Sequence, residues 1–119
     1  MVMAKILIVD DDPEIGFILK KLLERKGHEA VTSLNGNEAL KCLELIRFDV
    51  VITDLIMPDM DGIEAAIRIR RFLPDCKILL FSGQAATADL LEKARTRGYE
   101  FDILAKPVHP QDLLAKLRE

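Results

Sequence analysis

The sequence predicts an α/β fold: a doubly wound, five-stranded parallel sheet in the order 2-1-3-4-5 with five helices. Three observations carry this. Apolar runs of four or five residues alternate with segments of helical periodicity, the sequence form of successive βαβ units. The runs Ile6-Leu7-Ile8-Val9, Val50-Val51-Ile52 and Ile78-Leu79-Leu80-Phe81 show no polar alternation, as strands covered on both faces require. Each run then stops on chemistry: Asp10-Asp11-Asp12, Asp54 and Ser82, with Asp102-Ile103-Leu104-Ala105 ending on Lys106 in the same way.

In chain order, the first strand is expected at Lys5–Val9. The first helix follows, with Asp12 as its cap, Pro13 in its first turn and Gly27 ending it after Lys26. Glu29–Ser33 is the second strand, and its partial alternation suits a sheet edge. A helix from about Asn37 to Ile46 leads to the third strand, Val50–Thr53. The third helix runs from Gly62 to Phe72 and stops before Pro74. Ile78–Phe81 is the fourth strand, and Thr87 to Arg97 the fourth helix before Gly98. Asp102–Leu104 is the last strand, and a final helix begins at Pro110. Right-handed crossovers and an edge second strand produce the flavodoxin-like order.

Composition narrows the function classes. The 119 residues, half of them hydrophobic and 31% charged, suit one globular domain over 1–119. A net charge of −3 argues against nucleic-acid binding, which needs a basic face. No apolar run approaches the roughly 20 residues of a membrane span. Met1-Val2-Met3-Ala4-Lys5 lacks a signal-peptide apolar region, which points to the cytoplasm. Cys42 and Cys76 have no metal-like spacing and read as small packing residues.

In doubly wound sheets, ligands bind outside the carboxyl ends of the strands where strand order reverses. Here that point lies between the first and third strands, which end in Asp10-Asp11-Asp12 and Asp54. Carboxylates crowded there repel: at about 5 Å and an effective dielectric near 20, each pair costs about 3 kcal/mol. A hard cation relieves this, and an open oxygen-ligand site suits Mg²⁺, which keeps waters and bridges to phosphate. The strand ends carry no Cys or His, so zinc is disfavoured. Asp10 and Asp11 are adjacent and suited to share the cation. Asp54 stands alone and is the candidate nucleophile for an acyl phosphate. Lys106 offers a point charge and Ser82 a hydroxyl for phosphoryl oxygens. Asp12 is better explained as a helix cap, and Asp59-Met60-Asp61-Gly62 as turn and helix-start chemistry whose acids face water.

With these residues, the chain resembles the bacterial response-regulator receiver domain over nearly its whole length. The resemblance rests on the acid pair, Asp54-Leu55-Ile56-Met57-Pro58-Asp59-Met60-Asp61-Gly62, Ser82-Gly83 and Lys106-Pro107. It implies that Asp54 accepts a phosphoryl group from a sensor histidine kinase or phosphotransfer protein. It also implies that Mg²⁺ is held by Asp10, Asp11, Asp54 and the Ile56 carbonyl. Ser82 and Lys106 take the hydroxyl and lysine positions, and Lys106–Pro107 is expected to be cis, against roughly 5% of such bonds generally. Control of an output partner or domain, homodimerisation on phosphorylation and the absence of turnover as an enzyme follow from the same likeness.

Other readings compete. Haloacid-dehalogenase-like phosphatases need a second acid two residues after a first-strand nucleophile and then Thr or Val; here Pro13 and Glu14 follow Asp12. An acid-lined edge repels a flavin phosphate. A degenerate receiver that binds partners without phosphorylation is the nearer rival, set against by the full complement of acids, hydroxyl and lysine.

The chain also departs from the family pattern. Ile103 stands where an aromatic residue commonly reports phosphorylation, and the segment Gly98 to Asp102 is one residue longer than usual. Phe101 or Tyr99 are candidates to replace that aromatic. Movement of the 82–86 loop drawn by Ser82 is the expected readout. Ile56 and Gln84 occupy positions that modulate water access, and Ile56 predicts slow dephosphorylation. On the first helix, Ile15, Ile18, Leu19 and Leu22 read as a core stripe, with Phe17 opposite as a candidate kinase anchor.

Overall fold

The computed structural model describes residues 3–55, 59, 61–83, 87–106 and 108–118. The elements are β1 (Lys5–Val9), α1 (Pro13–Arg25), β2 (Glu29–Ser33), α2 (Gly36–Leu45), β3 (Val50–Asp54), α3 (Gly62–Phe72), β4 (Lys77–Ser82), α4 (Thr87–Thr96), β5 (Asp102–Ala105) and α5 (Pro110–Arg118). The five strands form one parallel sheet in the order β2-β1-β3-β4-β5.

Strand register explains the two-sided core. Ile6 pairs with Val50 and Ile8 with Ile52, while Leu7 pairs with Val51 and Val9 with Thr53. Because successive side chains point to opposite faces, Ile6, Ile8, Ile52, Leu79 and Phe81 meet Leu19 and Leu23 of α1 and Leu113 of α5. Leu7, Val9, Val51, Ile78 and Leu80 meet α2, α3 and α4 through Ala39, Leu43, Ala66, Ile67 and Ala94. This is why the strands read as unbroken apolar runs.

Helix ends follow their local chemistry. Asp12 accepts the Glu14 N–H at 2.9 Å and caps α1. Gly27 and Gly98, at φ 90° and 89°, turn the chain out of α1 and α4 in the left-handed region that glycine enters without penalty. Helix α2 starts one residue earlier than the sequence suggests. Asn35 accepts the Glu38 N–H as N-cap, and Glu38 accepts the N–H of Leu34 just before it, which places Gly36 in the first turn.

One expectation for α1 is corrected. Ile18, placed in the core by the stripe Ile15-Ile18-Leu19-Leu22, is 57% exposed. The buried residues are Gly16, Leu19 and Leu23, so the inward face is turned by about a quarter of a helical turn. Gly16 faces β2, where a Cβ would meet the Thr32 side chain at 3.4 Å, an ordinary contact distance. Ile15 and Leu22 flank the core half-buried, and Ile18 joins Phe17 on the surface.

Cys76 is buried, and burial pushes its thiol up to about 11, as expected of a packing residue. No helix among the described residues is long and apolar enough to cross a membrane.

Candidate functional site

Strands β3 and β4 run past their apolar residues to Asp54 and Ser82, and this builds the site. Asp54 pairs with Phe81 across β3 and β4, and Ser82 pairs with Ala105 across β4 and β5. The chemistry-bearing residues are therefore members of the ladder itself, with backbones fixed by sheet hydrogen bonds. Asp10 and Lys106 extend the same logic beyond their strands. The Asp10 N–H donates to the Ser33 carbonyl at 3.1 Å, and the Lys106 N–H donates to the Ser82 carbonyl at 3.1 Å.

The side chains converge. Carboxylate oxygens of Asp10, Asp11 and Asp54 lie within 4.8 Å of one another, with Asp10 and Asp54 buried and Asp11 exposed. The Lys106 amine donates to Asp54 Oδ2 at 2.7 Å and lies 3.6 Å from Asp10 Oδ2. Asp10 Oδ1 accepts the Asp12 N–H at 2.9 Å, whereas buried Asp10 Oδ2 has no hydrogen-bond donor. Burial raises the Asp10 carboxyl, and the nearby Asp54 and Asp11 charges add to this against the Asp12 N–H and Lys106. Burial alone would lower the Lys106 amine, but the hydrogen bond and charge of Asp54, with Asp10, outweigh it and hold the amine above its usual value.

These residues fit a hard divalent cation. The donors are all oxygens, two are buried, one faces water, and one buried carboxylate oxygen is left without a donor. Asp10, Asp11 and Asp54 would hold the ion. A bound Mg²⁺ supplies charge neutralisation to phosphoryl oxygens there. The expected Ile56 carbonyl ligand, the Lys106–Pro107 peptide, Gln84 and most of the 82–86 loop fall outside the described residues.

The structure also gives contacts to residues that the sequence marks only as strand, turn or helix-start positions. Gly62 opens α3 against the acceptor strand: a Cβ there would sit 2.4 Å from Leu55 Cα and 2.6 Å from the Asp54 carbonyl oxygen. The Gly62 N–H donates to the Leu55 carbonyl at 2.9 Å. Thr53 is fully buried, and its hydroxyl donates to the Asp54 carbonyl at 3.2 Å. Asp61 caps α3 through the Ile63 N–H at 2.7 Å, as helix-start chemistry predicts. Asp59 is exposed, but it does more than face water: its carboxylate accepts two backbone N–H groups of α2.

Comparison with known proteins decides the family. Residues 6–118 match the family described as response regulator receiver domain. The chain belongs to that family.

It is similar to the response regulator receiver protein CpdR of Brucella abortus, with 35% identity over 98% of this chain and 96% of that protein. It is also similar to the alkaline phosphatase synthesis transcriptional regulatory protein PhoP of Bacillus subtilis. There the identity is 33%, and the chain spans only 47% of that longer protein. Among solved structures, the response regulator TrrA of Thermotoga maritima in complex with Mg²⁺-BeF is 35% identical. Its TM-score is 0.83, covering 98% of this chain and 97% of that one. The sheet order and five helices match those of chemotaxis-regulator-like receivers. Receiver domains are signalling domains that interact with histidine kinases and output domains and bind Mg²⁺ at this acidic pocket.

Proposed function

We propose that Asp54 is the phosphoryl acceptor of a two-component system. An Asp54 carboxylate oxygen attacks the phosphorus of a phosphohistidine on a sensor kinase or phosphotransfer protein. The new O–P bond forms as the P–N bond breaks, and the imidazole leaves with its electron pair. The observation that carries the reading is the position of Asp54 Oδ2, 2.7 Å from the Lys106 amine and within the Asp10–Asp11 carboxylate cluster. Asp10 and Asp11, with the Ile56 carbonyl, complete the Mg²⁺ site around Asp54. Lys106 and Ser82 receive phosphoryl oxygens, so the chain's own work is positioning and charge neutralisation.

The kinase docks beside this site. Phe17 and Ile18 are 59% and 57% exposed, and Ile15, Ile18, Leu19, Phe81, Lys106 and Val108 line an apolar groove of about 510 Å³. Lys106 belongs to both groove and site. A donor histidine that reaches Asp54 brings its own helices over this groove, where exposed apolar side chains serve as anchors.

The output switch differs from an inward-rotating aromatic. Ile103 is half-buried against the α2–α3–α4 core. Tyr99 and Phe101 stack at 6.3 Å, with Arg71 donating to the Tyr99 hydroxyl at 3.0 Å and Arg70 over the Phe101 ring. Both aromatics are thus tied to α3, which supports Ser82 and the loop after it as the reporter of phosphorylation. The consequence is altered binding of an output partner or domain, with homodimerisation as one form of it, in the cytoplasm.

Incubation with a small phosphodonor and Mg²⁺, read by intact mass, tests the reading. Wild type is expected to gain one phosphoryl group, and Asp54→Ala none. No gain on wild type would instead favour a binding module that works without phosphorylation. A gain that survives Asp54→Ala would place the acceptor elsewhere.

A further inference from the structure

Asp59 lies in the connection from β3 to α3, outside the acidic cluster formed by Asp10, Asp11 and Asp54. Its two carboxylate oxygens accept the Gly36 N–H at 3.1 Å and the Asn37 N–H at 2.9 Å. These are the first two residues of α2, more than twenty positions away in the chain. The first turn of a helix leaves four N–H groups without intrahelical partners. The local cap accounts for Glu38, whose N–H reaches Asn35 at 2.9 Å. Asp59 takes the two donors that the local cap cannot reach. The Asn37 and Gly36 hydrogen bonds hold its carboxyl below the ordinary range, the expected response of an anion at a helix N-terminus.

The near end of the same connection is fixed as well. Leu55 donates its N–H to the Phe81 carbonyl at 3.2 Å and accepts the Gly62 N–H at 2.9 Å. Four residue steps separate Leu55, anchored to β4 and α3, from Asp59, anchored to α2. Two described residues of the connection, Leu55 and Asp59, are thus held by elements distant in the chain.

We propose that Asp59 is a positioning residue for the cation site: by fastening the β3–α3 connection to the N-terminus of α2, it helps Leu55 to hold the Asp54 end of that connection in place. The inference rests on the reading of Asp10, Asp11 and Asp54 as a Mg²⁺ site. It explains why this acid, unlike its neighbour Asp61, reaches across to another element rather than capping its own helix. Residues that orient ligands from behind typically change metal affinity 10- to 100-fold when removed. Asp59 acts through backbone, so the lower figure applies.

The test is a Mg²⁺ titration of wild type, Asp59→Ala and Asp59→Asn, with melting temperatures measured in parallel. Each titration is run at low salt and at about 0.5 M salt, where charges more than a few ångströms apart are screened. Asp59→Ala is expected to weaken Mg²⁺ binding about tenfold at both salt concentrations. Asp59→Asn, whose amide oxygen still accepts one N–H, is expected to fall between. Mg²⁺ affinity equal to wild type, whatever the melting temperature, would reduce Asp59 to a helix cap and overturn the proposal. A loss that disappears at high salt would also overturn it, because it would report charge alone. Failure of wild type to bind Mg²⁺ would instead sink the cation-site reading on which this inference stands.

Discussion

The Lys106 amine and the Asp54 carboxylate meet at 2.7 Å, the amine partly exposed and the acid almost covered. Lys106 also stands 3.6 Å from Asp10, whose side chain is 1% exposed. One flexible cation therefore offsets two buried anions that would otherwise repel each other. Among described residues, it is the amine that shares the pocket with the acids.

Lys106→Met should accordingly destabilise the metal-free protein by about 1–3 kcal/mol, the range for losing a charge-assisted hydrogen bond at a largely buried acid. Added Mg²⁺ should raise the melting temperature of this variant more than that of wild type, because the ion then meets an uncompensated cluster. Thermal melts with and without Mg²⁺ check this. An equal Mg²⁺ shift in both proteins would show that Lys106 does not offset the acids.

Gly62→Ala should cost about 3 kcal/mol, the upper part of the usual overpacking range. The added Cβ would meet Leu55 Cα at 2.4 Å, and backbone atoms cannot rotate aside as a side chain can. Denaturant midpoints give the number. A loss below about 1 kcal/mol would mean that α3 shifts away from the acceptor strand at little cost.

Glu64 provides a pH signature away from the site. Arg97, the residue after α4, donates to it at 2.8 Å, and Arg68 lies 3.5 Å from its other oxygen. The Arg97 hydrogen bond, with Arg68, holds the Glu64 carboxyl below its ordinary 4.5. Folding thus favours the ionised form, so the stabilisation is present above pH 4.5 and lost as pH falls through the lowered value. The groups are substantially exposed, so the contribution is at most about 1 kcal/mol. Glu64→Gln should melt below wild type at neutral pH, and the gap should close on acidification. A gap independent of pH would contradict the ion-pair account.

Phe17→Ala and Ile18→Ser should leave stability within about 0.5 kcal/mol, since neither side chain is in the core. Both should slow phosphoryl transfer from the cognate kinase roughly fivefold or more, as loss of an interface anchor does. Transfer from a small phosphodonor should be unchanged. Equal slowing with both donors would place the effect in the site rather than in docking.

Local patterns determined most of the architecture. Unbroken apolar runs such as Ile6-Leu7-Ile8-Val9 can be satisfied only by strands covered on both faces, and Asp12-Pro13 and Gly27 mark α1 through backbone chemistry alone. Asp10, Asp11, Asp54, Ser82 and Lys106 were legible because each interrupts an apolar pattern at a strand end. A parallel sheet brings all such ends to one edge.

Tertiary structure decided what depends on contact between distant segments. Ile18 obeys helical spacing but faces water, because α1 packs on the sheet through Gly16, Leu19 and Leu23, and spacing cannot report how a helix is rotated about its axis. Gly62 reads as an ordinary helix start until the backbone of Leu55 is placed against it. Asp59 looks like a solvated turn residue until Gly36 and Asn37 arrive from elsewhere in the chain. Sequence alone determines which groups need burial or a partner. Only the folded chain selects the partner, because hydrogen bonds and close packing act over a few ångströms and those distances are set by the whole sheet.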